Sequence, residues 1–159
     1  MARIEIKIDK RFRDTQTRIN RALREARDEL ATETREMHLA TVATWDHKPN
    51  FTVKKYKNGF EIRVTGVNAK IWRFVSDGTR AHFIRPRRAK RLRFQSSYSA
   101  KTEPNVIGSS AGGAFGANVF AAQVRHPGTR ARNFEKIISS DAREIAKRIY
   151  REKLRELRK

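Results

Sequence analysis

The chain has no cysteine, so neither a disulfide nor a thiolate metal site can contribute to it. It also lacks a long apolar run: nothing approaches the ~20 residues of a membrane-spanning helix. The first ten residues, MARIEIKIDK, alternate and are charged, unlike the apolar core of a signal peptide. The expectation is a protein made and folded in the cytoplasm, away from any membrane. Acids are scarce, with 17 Asp and Glu against 37 Lys and Arg, for a net charge of +20. A free monomer with that imbalance repels itself and is drawn to anionic surfaces. Hydrophobic residues, at 38%, are few but suffice for one moderate core, so 1–159 reads as a single domain.

Catalytic patterns are missing too. The glycines from Gly108 to Gly116 follow no strand and precede no Gly-Lys-Ser/Thr, so they do not form a phosphate loop. No Ser/His/Asp arrangement and no HxxH, HExxH or paired-carboxylate spacing appears. A small nuclease needs an acidic metal cluster, and Asp77 alone is not one. No enzyme activity, metal or other cofactor is expected.

What the sequence does have is a dense basic stretch. Arg80, Arg85, Arg87, Arg88, Lys90, Arg91 and Arg93 fall within 14 residues that contain no acid, interleaved with Phe83, Ile84, Leu92 and the adjoining Phe94. Such charge is balanced by a polyanion, an acidic protein partner, or solvent and counterions. These seven residues are the candidate contacts to a partner or to DNA.

Hydrophobic periodicity marks the elements. Ile4, Ile6 and Ile8 alternate with Glu5 and Lys7, which predicts a short strand. From about Arg11 to Ala43, Phe12, Ile19, Leu23, Ala26, Leu30 and Met37 follow helical spacing. Acids and bases share the other faces, with local pairing expected of Glu25 and Glu29 with Arg18 and Arg21. The run Asp46–Asn50, with Pro49, ends the helix. The segments 51–56 and 60–64 around Asn58-Gly59 predict a β-hairpin whose Asn-Gly supplies positive φ angles. Ile71–Val75 reads as a short buried strand or a helical turn. Short strands are expected around Phe83, Leu92–Phe94 and Val119–Val124. Gln95 to Asn118, rich in Ser, Gly and Ala, reads as a long flexible loop.

A helical period returns from Asn133, with Phe134, Ile138, Ala142, Ile145, Ile149 and Leu157 on one stripe. Lys and Arg in its last turns complement the helix dipole. The order predicts an α+β domain: a small antiparallel sheet packed by a long N-terminal helix and a C-terminal helix, with the long loop at 95–118. Trp45, Trp72 and the phenylalanines are expected in the core, and His38 and His47 on the surface.

Two turns echo each other: Asp77-Gly78-Thr79-Arg80 and Pro127-Gly128-Thr129-Arg130. Pro127 presets φ and Gly128 accepts a positive φ, while Gly78 has the same freedom after Asp77. His82 and His126 sit near these turns. With Asp77 they have the chemistry of a metal or acid–base site but not its spacing, so hydrogen bonds across the loops are expected.

The order Gly78-Thr79-x-x-His82-x-Ile84-x-Pro86, Leu92-x-Phe94, a variable loop, then Val124-x-His126-Pro127-Gly128-Thr129 and Phe134 resembles a phage family. It is the tail-completion, or head–tail joining, family of lambdoid long-tailed phages, gene-product-ten-like. Residues 72–138 carry the likeness; the first 70 share only its general character. Asn133 departs from the pattern, which often has Pro before the Phe. The resemblance implies a non-catalytic structural protein of the virion neck, assembled in the bacterial host cytoplasm. Copies would form a homo-oligomeric ring that completes the tail end and joins it to the DNA-filled head. Its partners would be further copies, the head connector, and the tail terminator or tail tube proteins, with genomic DNA in the channel as a further contact. The alternative reading is a basic nucleic-acid-binding protein that sets the 80–93 segment on phosphates, although no recognition-helix motif accompanies it.

Overall fold

A computed structural model of the chain describes residues 9–158. The strand expected at Ile4–Ile8 lies outside the described residues. Among the described residues, two long helices and three two-stranded antiparallel sheets give the α+β fold that the periodicities predict.

Helix α1 spans Lys10–Thr41. It opens on Asp9, whose Oδ1 accepts from the Arg11 amide at 3.1 Å and so satisfies one of the orphan N–H groups of the first turn. Helix α3 spans Phe134–Glu156 and runs antiparallel to α1. The order of the cross-links fixes that sense: Arg18 donates to the Leu157 carbonyl, Lys153 pairs with Glu29 at 3.5 Å, and Arg148 with Glu33 at 3.0 Å. Glu29 and Glu33 of α1 thus bridge to α3, and Asp28 to Lys55 at 2.8 Å, rather than pairing with Arg18 or Arg21 along their own helix. The buried stripe of α1 is Ala22, Ala26, Leu30, Ala31, Thr34, His38 and Thr41. Its alanines let Ile149 of α3 seat against Ala26, both fully buried. Phe12 and Ile19, on the predicted apolar stripe, are exposed.

Strands β1 (Asn50–Tyr56) and β2 (Gly59–Thr65) form the predicted hairpin against α1. Tyr56 pairs with Gly59, so the two-residue turn is Lys57-Asn58, and neither Asn58 nor Gly59 takes a positive φ. Helix α2 (Ala69–Asp77) occupies the segment left open between strand and helical turn. Its Trp72 anchors the main core, with Val42, Trp45, Phe51, Phe134 and Ile138 around it. Phe51 meets Trp72 edge-on at 5.0 Å, and Phe134 lies 4.9 Å away, tilted. Such pairs add roughly 0.5–1.5 kcal/mol each beyond burial.

His38 belongs to this core and not to the surface. It is 2% exposed, packed between Phe51 and Trp72. Its Nδ1 lies 2.8 Å from the Thr34 carbonyl oxygen, so Nδ1–H donates there. That leaves Nε2 facing Glu135, 3.6 Å from Oε2. The indole N–H of Trp72 donates to the other Glu135 oxygen at 2.7 Å. The facing His38 ring first, and then the Trp72 N–H, hold the Glu135 carboxyl below its ordinary value against the opposing effect of desolvation.

The remaining strands are β3 (His82–Ile84), β4 (Leu92–Ser99), β5 (Gly113–Ala121) and β6 (Val124–His126). β3 pairs with β6, and β4 with β5. The loop expected at 95–118 is therefore shorter than the composition suggests: residues 95–99 and 113–118 belong to strands β4 and β5, and 100–112 connects them. Gly, Ser and Ala composition suggests a flexible coil, but here the backbone ladder is satisfied across the ribbon, and that bonding does not depend on side-chain type.

Candidate interaction surface

The four strands form one ribbon. The bridge Thr79↔Thr129 and the β3–β6 pairs share one register, and β4–β5 continues it beyond an excursion of residues 85–91 opposite Ala122 and Gln123. At its base the two echoing turns bond to each other. The Thr79 amide donates to the Thr129 carbonyl at 2.9 Å, and the Thr129 amide to the Thr79 carbonyl at 3.1 Å. The Thr79 hydroxyl also accepts from the Thr129 amide. Gly78 and Gly128 make this approach possible. A Cβ on Gly78 would lie 2.6 Å from the Thr129 carbonyl oxygen, and one on Gly128 would lie 2.3 Å from that of Thr79. Both glycines have positive φ, 78° and 95°, as the turn chemistry requires.

The opposite end of the ribbon is also tied to the body. The Lys101 ammonium donates to the Thr44 carbonyl at 3.0 Å and to Asp46 at 2.8 Å. That hydrogen bond and charge hold the Asp46 carboxyl below its ordinary value. Thr44 bonds Ser109 and Ser110, and Arg132 bonds the buried Thr102 carbonyl. Ile107 packs on the Trp72 core. The ribbon is thus a strap pinned at both ends. It leaves the body at Thr79 and Thr129 and returns at 100–112. A cavity of about 600 Å³ lies between strap and body, with Trp45, Ile71, Val75, Tyr98 and His126 in its wall.

The basic segment crowns this strap. Arg80, Arg85, Arg87, Arg88, Lys90, Arg91 and Arg93 are all exposed. Among the described residues none of the seven joins an ion pair. Two make neutral contacts: Arg85 Nε donates to Gln123 at 3.3 Å and Arg93 Nε to Asn118 at 3.1 Å. Five of the cations lie in the 85–91 excursion, which opens at the half-buried Pro86. Between residues 78 and 134 the chain has eleven Lys and Arg and one acid, Glu103.

The aromatic residues correct the expectation of a phenylalanine-filled core. Phe51 and Phe134 are buried, but Phe83, Phe115 and Phe120 on the strap are 57%, 52% and 59% exposed, and Phe12, Phe74 and Phe94 are exposed as well. The strap packs so little against the body that its strands cannot bury both faces. This was hidden in the sequence, because an apolar residue on a strand reads the same whether or not anything covers it.

His82 and His126 are cross-strand partners, with ring centroids 5.1 Å apart. Each bonds within its own turn rather than across the loops. His82 Nδ1–H donates to the Arg80 carbonyl, whereas His126 Nδ1 accepts from the Gly128 amide. Nδ1 thus acts as donor in His82 and as acceptor in His126. Asp77, the third member of the constellation considered from sequence, has no bond to either ring.

Comparisons with family models, with curated proteins and with solved structures find no match to this chain.

Proposed function

We propose that this protein is a structural subunit of a phage neck, in which copies form a ring that completes the tail end and joins the tail to the DNA-filled head. It works in the virion after assembly in the host cytoplasm and contacts further copies, the head connector and a tail terminator or tail tube protein. The observation that carries the reading is the strap. A tethered two-stranded ribbon with exposed phenylalanines and uncovered strand edges gains stability when another chain covers it. The motif blocks of the resemblance support the reading too, since Gly78-Thr79 and Gly128-Thr129 meet as one hydrogen-bonded unit at the strap's base.

Light-scattering mass after size exclusion, at low and high salt and with and without duplex DNA, tests this. A salt-resistant oligomer indifferent to DNA is the expected result. A monomer at every salt concentration would refute self-assembly.

One observation favours a second reading, a nucleic-acid-binding protein. The 85–91 excursion carries five cations with no ion-pair partner among the described residues. That reading predicts duplex affinity falling steeply with salt, by about one counterion per phosphate contacted.

A further inference from the structure

The register of β4 and β5 sorts the strap's side chains by face. Arg93 pairs with Phe120 and Gln95 with Asn118; paired residues point to the same side of an antiparallel ribbon. Beyond Gln95 the register shifts, and Ser97 pairs with Phe115. The extra residue lies on β5 beside Gly116, whose φ is 91°. Without this bulge Phe115 would turn to the opposite face; with it, Phe115 and Phe120 share one. Between them Arg93 donates to Asn118, which holds the guanidinium along that face. Both phenylalanines are more than half exposed. Bulges re-aim side chains, and exposed apolar patches on a protein mark interaction sites.

We infer that this face, Phe115–Arg93–Phe120 with the cationic 85–91 excursion at its end, docks an acidic protein surface that offers apolar or aromatic side chains to the two phenylalanines. The inference rests on the neck-subunit reading only for where such a partner is met. Aromatic side chains and arginine, with few acids, are what the centre of a protein interface is enriched in. Two other occupants fit less well. A second strap would bring Arg to Arg, since each copy carries +20 and its strap segment has one acid among eleven cations. Duplex DNA offers phosphates to the cations but leaves Phe115 and Phe120 uncovered, because backbone contacts make no use of apolar side chains.

The test is binding of the full chain, at physiological salt, to four probes: poly-glutamate, a random glutamate–tyrosine copolymer, a duplex oligonucleotide and a single-stranded one. The copolymer is expected to bind roughly tenfold more tightly than poly-glutamate at equal carboxylate concentration. The double variant Phe115→Ser and Phe120→Ser, both at exposed positions, should lose that advantage and keep its affinity for poly-glutamate. Arg87→Glu with Arg88→Glu should weaken binding to every probe. Equal affinity for the two polymers, or a copolymer advantage that survives the double serine variant, overturns the inference. So does tighter binding of either oligonucleotide than of the copolymer, which would assign the face to nucleic acid. The mass measurement of the oligomer is independent, so the ring and the docking face can fail separately.

Discussion

Replacing Gly128 with Ala should open the strap at its base. The new Cβ would lie 2.3 Å from the Thr79 carbonyl oxygen and 3.0 Å from the Arg80 carbonyl carbon, both backbone atoms that cannot rotate away. The backbone at 128 has φ of 95°, which costs an L-residue about 1–2 kcal/mol. Relieving the overlap separates Thr79 from Thr129 and breaks their reciprocal backbone bonds, each worth about 0.5–1.5 kcal/mol net. The sum is about 2–5 kcal/mol against the bridge.

The strap is tied to the core mainly at its ends, so this loss should appear as local opening before global unfolding. Native-state hydrogen exchange reads it directly. The Thr79 and Thr129 amides should exchange at least about 30-fold faster, since every 1.4 kcal/mol is tenfold. Amides in the middle of α1 and α3 should keep their protection. Gly78→Ala should do the same through the Thr129 carbonyl, 2.6 Å from its new Cβ. The double variant should be little worse than either single one, because both break one bridge. Unchanged exchange at Thr79 and Thr129 in both single variants would falsify the clamp.

Acidification should weaken the core at Glu135. Its native value is depressed, so its contribution to stability is complete above the unfolded value, about 4.3 for Glu, and is lost as pH falls from there through the native value. Urea midpoints between pH 7 and pH 3 should therefore fall less for Glu135→Gln than for the parent; identical slopes would remove Glu135 from the acid response. Asn133→Pro should destabilise the fold by about 3 kcal/mol or more. Asn133 has φ of 58°, where proline needs a negative angle, and its amide donates to the Ser76 carbonyl at 2.9 Å; a melting temperature within error of the parent's would contradict this. Arg87→Glu with Arg88→Glu should change the melting temperature by no more than about 1 °C, in keeping with exposed positions that join no ion pair among the described residues; if the proposed neck role holds, it should also block the joining of tails to heads. Unfolding of that variant would make the segment structural.

The helices were legible because burial on one side imposes a 3.6-residue period. The stripe Phe134, Ile138, Ile149 places α3 correctly, and the helical period expected from about Arg11 to Ala43 matches α1, Lys10–Thr41, closely. The hairpin was legible from its alternation, although the turn slipped by one residue to Lys57-Asn58. The echo of the two Gly-Thr-Arg turns was visible, and so was the need of Gly78 and Gly128 for positive φ.

Which groups meet was not legible. His38 looks polar and peripheral on a charged helix, and only the approach of Phe51, Trp72 and Glu135 from three other segments buries it. The two ends of the Ser- and Gly-rich run pair with each other as part of a ribbon across the 100–112 connection, a pairing that composition does not encode. The exposed phenylalanines depended most on tertiary structure. The sequence by itself determined periodicity, turn chemistry and charge, because those are properties of neighbouring residues. The structure alone decided what is covered, because coverage belongs to pairs of distant segments, and among the described residues nothing covers Phe83, Phe115 and Phe120 on the strap.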